Sequence, residues 1–190
     1  MKRLIFLYFI LSHSTILAQE FKIPEIKFQS ETEKPNLYVE LLKLKDNKSL
    51  IIKTSISSHW TEETTSNFIV YQNDGKIKKF TLDSKGKIKC KSVKRREYSS
   101  YWNLLNKLNS ENKFELISEQ LNITSKPIGN GNINTLVISD GYTLSFEICL
   151  ENKYSSYSSS NPNSIIEQEF PGYTERQKLV DLINEFDKLF

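Results

Sequence analysis

The first place to look for chemistry in this chain is the run His59-Trp60-Thr61-Glu62-Glu63. A histidine beside carboxylates can act as a general base, and an exposed tryptophan can support a sugar ring. The patterns that accompany catalytic histidines, G-x-S-x-G and H-E-x-x-H among them, do not occur. We therefore interpret this run as a loop and predict no catalytic residues in it.

Paired carboxylates are the second chemical possibility. A glycosidase needs two of them at roughly 5–10 Å from each other, which a sequence alone neither establishes nor excludes. The candidates are Glu62, Glu63, Glu147 and Glu151. A small secreted hydrolase that uses such a pair, or His59, is accordingly the alternative interpretation of the whole chain.

The strongest chemical signal is positive charge between residues 76 and 96. This stretch holds ten basic residues and one acid, Asp83, for a local charge of +9, whereas the whole chain carries only +3. Lys87, Lys89 and Lys91 alternate onto one side of a predicted strand, opposite Ile88 and Cys90. Six residues are the predicted partner-binding site: Lys87, Lys89, Lys91, Lys94, Arg95 and Arg96.

Two interpretations of these cations are open. They form a surface that binds something anionic, such as an acidic protein or an anionic envelope surface. Alternatively they only protect the edge of a sheet from aggregation, as lysines often do. Nucleic acid is not an expected partner of an exported chain, and the nearby Tyr98, Tyr101 and Trp102 fit a helix core better than a stacking platform.

The two cysteines, Cys90 and Cys149, raise the question of a disulfide. Strand alternation places Cys90 with Ile88 on an apolar face, but Cys149 with Ser145 and Glu147 on a polar one. Side chains on opposite faces of a sheet cannot bridge, which favours two reduced thiols over a disulfide. Neither a metal site nor a cofactor is predicted, because a single histidine beyond residue 18 and two cysteines supply too few ligands.

The first 18 residues have the order of a secretory signal peptide. Lys2 and Arg3 precede an apolar run at residues 4–11, and Ala18 is the expected cleavage position. The Leu-Ala-Gln ending resembles signal peptides of exported Gram-negative bacterial proteins. We predict a signal peptide at 1–18, an extended arm at 19–36 and one domain at 37–190. The mature protein, secreted or periplasmic, would have no transmembrane segment.

The remaining chain has the pattern of hairpins and helices. Residues 37–45 and 50–57 flank a polar turn and predict a hairpin, and residues 67–93 predict a three-stranded meander with turns at Asn73-Asp74-Gly75 and Asp83-Ser84-Lys85-Gly86. Helical spacing at residues 98–109 predicts a helix, which continues or is followed by a second one at 113–121.

The last third predicts another hairpin and a closing helix. Residues 135–139 and 142–150 flank Asp140-Gly141, whereas 154–164 is predicted to be a surface loop. Thr174 and Gln177 fit a capping box that opens an amphipathic helix. The predicted fold class is α+β, an antiparallel sheet of hairpins and a meander with two or three helices on one face. No motif names a reaction. The favoured interpretation is an exported, non-catalytic protein that binds or shields a macromolecular partner in the periplasm or at the cell surface, of the envelope accessory or immunity/inhibitor type.

Overall fold

The computed structural model describes residues 21–29, 32–33, 37–45, 48–61, 63–137 and 141–190. The predicted signal peptide, residues 1–18, lies outside these ranges. The strands are β1 Thr32–Glu33, β2 Leu50–Ser58, β3 Thr64–Tyr71, β4 Ile77–Leu82, β5 Ile88–Ser92, β6 Ser125–Gly129, β7 Asn132–Thr135, β8 Tyr142–Leu150 and β9 Lys153–Ser160. The α-helices are α1 Leu37–Leu41, α2 Tyr98–Ser110, α3 Pro162–Glu167 and α4 Tyr173–Asp187.

Seven of the strands form one sheet in the order β1-β9-β8-β2-β3-β4-β5, while β6 and β7 form a separate two-stranded ribbon. Every strand pair of the described sheet is antiparallel. The predicted α+β class and the meander β3-β4-β5 are confirmed. At the end of the meander, β5 is an edge strand of the large sheet.

The register gives the sheet two different faces. The inner face carries Ile52, Ile69 and Phe146 and is covered by α2 and α4, which contribute Trp102 and Ile183 to the main core. The outer face has a smaller cluster, covered only in part by α1, whose buried members are Leu42, Ile51, Phe68, Val70, Phe80 and Cys149. The two long helices therefore lie on one face, as predicted.

The two turns of the meander have the same geometry. In each, a glycine at φ near +77° donates its N–H three residues back, from Gly75 to Gln72 and from Gly86 to Asp83, both at 2.9 Å. This is the three-residue hairpin loop in which glycine takes the left-handed position. The repeat Gly-Lys-Ile-Lys, which occurs after each turn, reflects this shared turn chemistry.

The predicted closing helix is confirmed as α4, but not its predicted cap. Gly172 occupies the position before the helix, and no side chain caps its first turn. Thr174 lies inside the helix, so its hydroxyl cannot serve as the cap of a capping box. The apolar stripe is buried as expected at Leu179, Leu182, Ile183 and Phe186.

Two predicted elements of the first half are wrong. Residues 37–45 do not pair with β2, because β8 and β3 occupy both sides of that strand, and Leu37–Leu41 forms α1 instead. Residues 113–121 are not a helix, since Asn112 at φ 52° ends α2. Phe114 and Leu116 then alternate into the core, and only Ser118–Gln120 makes a 3-10 turn.

Two further predictions fail in the second half. The turn at Asn130-Gly131, with both φ angles positive, joins β6 to β7. The predicted hairpin of residues 135–139 with 142–150 is wrong, because β8 pairs with β2 on one side and β9 on the other; residues 138–140 themselves lie outside the described ranges. The region predicted as a loop at 154–164 is largely β9, paired with β8 along its length. Its serines do not exclude a buried strand, because Ser155 and Ser159 are small enough to lie buried on the inner face.

Candidate functional site

The predicted site residues lie together on one edge of the molecule. Lys89 and Lys91 are on β5, Lys87 directly precedes that strand, and Lys94, Arg95 and Arg96 follow it into a 3-10 turn at Arg95–Glu97. All six side chains are exposed. We call these six residues the basic edge.

The basic edge is hardly neutralised by the rest of the described chain. Among the described residues, its only ion pair joins Arg96 Nε to Glu97 Oε1 at 4.0 Å, and both side chains are well exposed. Asp83 forms no ion pair with these cations in the described chain. Its Oδ1 instead accepts hydrogen bonds from the backbone N–H groups of Lys85 and Lys87, at 3.1 and 2.9 Å. An exposed ion pair at that distance contributes little, so the edge keeps its positive charge.

Two other lysines of the basic stretch have partners within the chain. Lys76 forms an exposed ion pair with Asp74 at 2.5 Å. Lys79, on the inner face of β4, donates to the carbonyl of Leu189 at 2.5 Å and lies 5.7 Å from the centre of the Tyr101 ring. Burial lowers the pKa of Lys79. The ten basic residues of the stretch thus comprise the basic edge, these two lysines with partners, and Lys78 and Lys85.

An open groove adjoins the basic edge on the outer face. It has a volume of about 420 Å³, and its lining includes Leu41, Leu42, Phe80, Ile88 and Cys90. Sequence reasoning missed this groove, because its wall comes from α1, whose residues were predicted to be a strand. The available signal was the apolar pair Leu41-Leu42, which does not distinguish a helix from a strand over so short a run.

Neither cysteine forms a disulfide, but the predicted reason is wrong. The register puts Cys90 opposite Phe80, and Phe80 shares the outer face with Cys149. The two cysteines therefore lie on the same face, separated by four strand spacings or about 19 Å. A disulfide needs Cα atoms within roughly 7 Å, so distance, not face, keeps the thiols apart.

The carboxylates of the alternative hydrolase do not converge in the described residues. Glu147 lies in β8 on the outer face, whereas Glu151 is an exposed residue of the turn between β8 and β9, at φ 55°. Glu63 is exposed beyond the far end of β2, and the side chain of Glu62 lies outside the described residues.

Glu147 is instead the centre of a polar cluster on the outer face. Its carboxylate accepts hydrogen bonds from Tyr38, from Tyr154 at 2.9 Å and from the Lys53 ammonium at 2.6 Å. Burial and the hydrogen bond to Glu147 raise the pKa of Tyr38, and burial raises the pKa of Tyr154 to about 12. Three donors therefore hold this carboxylate in place on the outer face of the sheet.

His59 has a hydroxyl as its partner. It is exposed, and its Nε2 lies 2.9 Å from Thr143 Oγ1, which in turn lies 3.0 Å from Ser160 Oγ. No carboxylate contact to the imidazole is found among the described residues. The arrangement lacks the orienting acid that a catalytic histidine uses.

The aromatic residues after the basic edge belong mainly to the core. Tyr101 and Trp102 are buried, and the Tyr71 ring meets the Trp102 ring edge-on at 5.0 Å. Tyr98 is half-buried. Tyr101 and Trp102 are therefore not available as a stacking platform for bases.

Within the described ranges, no three potential metal-ligating side chains cluster, and no helix has both the length and the apolar character needed to cross a bilayer.

Comparison with known protein families, with curated proteins and with solved structures finds no match to this chain.

Proposed function

We propose that this chain is an exported, non-catalytic protein that binds an acidic macromolecular partner in the periplasm or at the cell surface. The basic edge is its binding surface. The observation that carries the proposal is the exposure of all six basic side chains on and beside β5, the last strand of the described sheet, with one weak ion pair among the described residues.

Charge of one sign on one edge has a clear physical use. It accelerates the encounter with a surface of opposite sign and orients the two molecules before contact. Residues 76–96 carry +9 in a chain of net charge +3, so the rest of the molecule is net acidic. An acidic partner is attracted to the basic edge and repelled elsewhere, which gives one preferred orientation.

The alternative function, a small secreted hydrolase, has weaker support. Glu147 accepts hydrogen bonds from three donors, and the imidazole of His59 contacts a threonine hydroxyl on an open surface. Neither arrangement combines a free base with a pocket that excludes water.

The test is charge reversal with a matched control. The variant Lys87→Glu, Lys89→Glu, Lys91→Glu is compared with Lys27→Glu, Lys107→Glu, Lys153→Glu, which changes three exposed lysines elsewhere and the same total charge. Binding to poly-L-glutamate is measured by titration calorimetry at low salt. We expect the first variant to bind at least about tenfold more weakly and the control to lose much less, because only the first removes a contiguous surface.

Equal losses in both triple variants would contradict the proposal, because they would show a response to net charge alone. Parallel titrations use vesicles of phosphatidylcholine mixed with phosphatidylglycerol. Binding to these vesicles but not to polyglutamate would show that the partner is an anionic envelope surface and not an acidic protein. Circular dichroism and thermal unfolding confirm that both variants fold.

Export has its own test. The full chain with a carboxyl-terminal affinity tag is expressed in a Gram-negative host, and the periplasmic fraction is analysed by intact-mass spectrometry. Cleavage after Ala18 predicts a product that begins at Gln19, whereas an intact chain in the cytoplasmic fraction would contradict export.

A further inference from the structure

One side of the β5 backbone is unpaired among the described residues. This strand pairs only with β4 in the described sheet, in a register that sets Lys91 opposite Lys79 and Cys90 opposite Phe80. Val93 donates its N–H to the Ile77 carbonyl, and the Lys87 carbonyl accepts from Asp83, so both ends of the ladder are hydrogen-bonded pairs.

Hydrogen-bonded and non-hydrogen-bonded pairs alternate along an antiparallel ladder. Since residues 87 and 93 direct their backbone groups at β4, Lys89 and Lys91 do the same. Ile88, Cys90 and Ser92 consequently point their N–H and C=O groups away from the sheet. These six backbone groups form a ready edge for one more strand.

The side chains along this edge present two chemistries in alternation. Lys89 and Lys91 lie on the inner side, next to the inward-pointing Lys79. Ile88 and Cys90 lie on the outer side, where they line the groove together with Leu42 and Phe80 and with two lysines, Lys43 and Lys78. A strand laid against β5 would place alternate residues opposite the lysines and the others beside the groove.

We propose that an extended segment of the acidic partner protein binds to β5 as an added antiparallel strand. Its sequence alternates acidic residues, which face Lys89 and Lys91, with apolar residues, which face Ile88 and Cys90 beside the groove. Antiparallel addition continues the pairing of the existing sheet, and backbone hydrogen bonds supply affinity while the alternating side chains supply specificity. This inference rests on the proposed function and specifies how the partner is recognised.

The same lysines would disfavour pairing of this edge with a second copy of the chain. Two β5 strands side by side would bring Lys89 and Lys91 against their own counterparts, and like charges on facing strands repel. Protection against self-association and selection of an acidic strand are thus two effects of one set of side chains.

The test uses a synthetic peptide of sequence Thr-Val-Glu-Val-Glu-Val-Thr, blocked at both ends. In the proposed register its central valine lies opposite Cys90 and its glutamates lie opposite Lys89 and Lys91. Binding to the mature chain is measured by fluorescence anisotropy. We expect saturable binding that weakens at least about tenfold in Lys87→Glu, Lys89→Glu, Lys91→Glu.

Backbone methylation separates strand addition from simple charge attraction. N-methyl groups on the three valines remove the N–H groups that would donate to β5, whereas N-methyl groups on the two glutamates lie on the far side of the added strand. We expect the valine-methylated peptide to bind at least about tenfold more weakly than the glutamate-methylated one, although their charge and side chains are the same.

Each outcome decides between the two proposals. Equal binding of the two methylated peptides, with sensitivity to lysine reversal retained, overturns strand addition but leaves the basic edge as a charged docking surface. Binding of polyglutamate without binding of the peptide also overturns strand addition and leaves the basic edge as a charged docking surface. Insensitivity of both ligands to lysine reversal overturns the proposed function as well.

A protein variant gives an independent check. Cys90→Pro removes one outward-pointing N–H, and proline is tolerated in an edge strand where that group faces solvent. Cys90→Val retains the N–H and is the matched control. We expect weaker peptide binding in the proline variant only, and equal binding by two folded variants would argue against strand addition.

Discussion

Arg176 is the best example of how a single residue holds this fold through backbone carbonyls, with no ion pair to it among the described residues. Its side chain is fully buried, and its guanidinium donates to the carbonyls of Leu121, Ile123 and Pro171 at 2.9, 2.5 and 2.8 Å. Burial lowers its pKa. The planar group with its five donors matches several backbone acceptors at once, so it fixes the segment after α2 to the last helix.

Loss of this side chain should destabilise the protein strongly. Arg176→Ala leaves three carbonyls without this donor and opens a cavity, and we expect the free energy of unfolding to fall by about 3 kcal/mol or more. Urea denaturation measures it. Arg96→Ala is the control, since that exposed side chain should change stability by less than about 0.5 kcal/mol. A loss below about 1 kcal/mol in Arg176→Ala would contradict this role.

Individual residues also show the limit of pattern reasoning. The exposure of the basic edge could be anticipated, because alternation separates Lys89 and Lys91 from Ile88. The burial of Lys79 could not, since its partner carbonyl at Leu189 is 110 residues away in sequence. Alternation was also insufficient for the cysteines, because it assigns a face to each strand separately and does not relate the faces of distant strands.

At the scale of elements, β5 should show its two backbone directions in amide hydrogen exchange. We expect slow exchange for Lys89 and Lys91, whose N–H groups bond to β4, and fast exchange for Ile88, Cys90 and Ser92, whose N–H groups face solvent. Two-dimensional NMR measures each amide. Protection of Cys90 equal to that of Lys89 in the free protein would remove the basis for strand addition.

Elements specified by local signals were predictable. The meander β3-β4-β5 has its turn residues in place, and α2 and α4 have helical periodicity over more than three turns. The pairing of β2 with β8 was not, because it joins segments more than 80 residues apart and depends on packing. The strand β9 was not predicted for a similar reason. Its many serines suggest a loop, and their burial on the inner face depends on tertiary contacts.

At the scale of the whole molecule, the residues of the candidate site were predictable, but their arrangement on the surface was not. The six cations and their alternation can be seen in the amino-acid order alone. The position of β5 at the sheet edge, the direction of its backbone and the adjoining groove cannot, because each depends on which strands occupy the neighbouring positions. Charge concentration is a property of the chain, whereas a docking surface is a property of the assembled sheet.

The paired turns at Gly75 and Gly86 carry a consequence for engineering. Each turn-and-strand unit extends the sheet by one strand in the same direction, so a third copy inserted after Ser92 would supply an eighth strand from within the chain itself. In a protein lengthened in this way, the inserted strand would pair with β5 and cover the basic edge. If the lysines of the inserted strand were replaced by glutamates, that strand would compete with any external ligand for the same position.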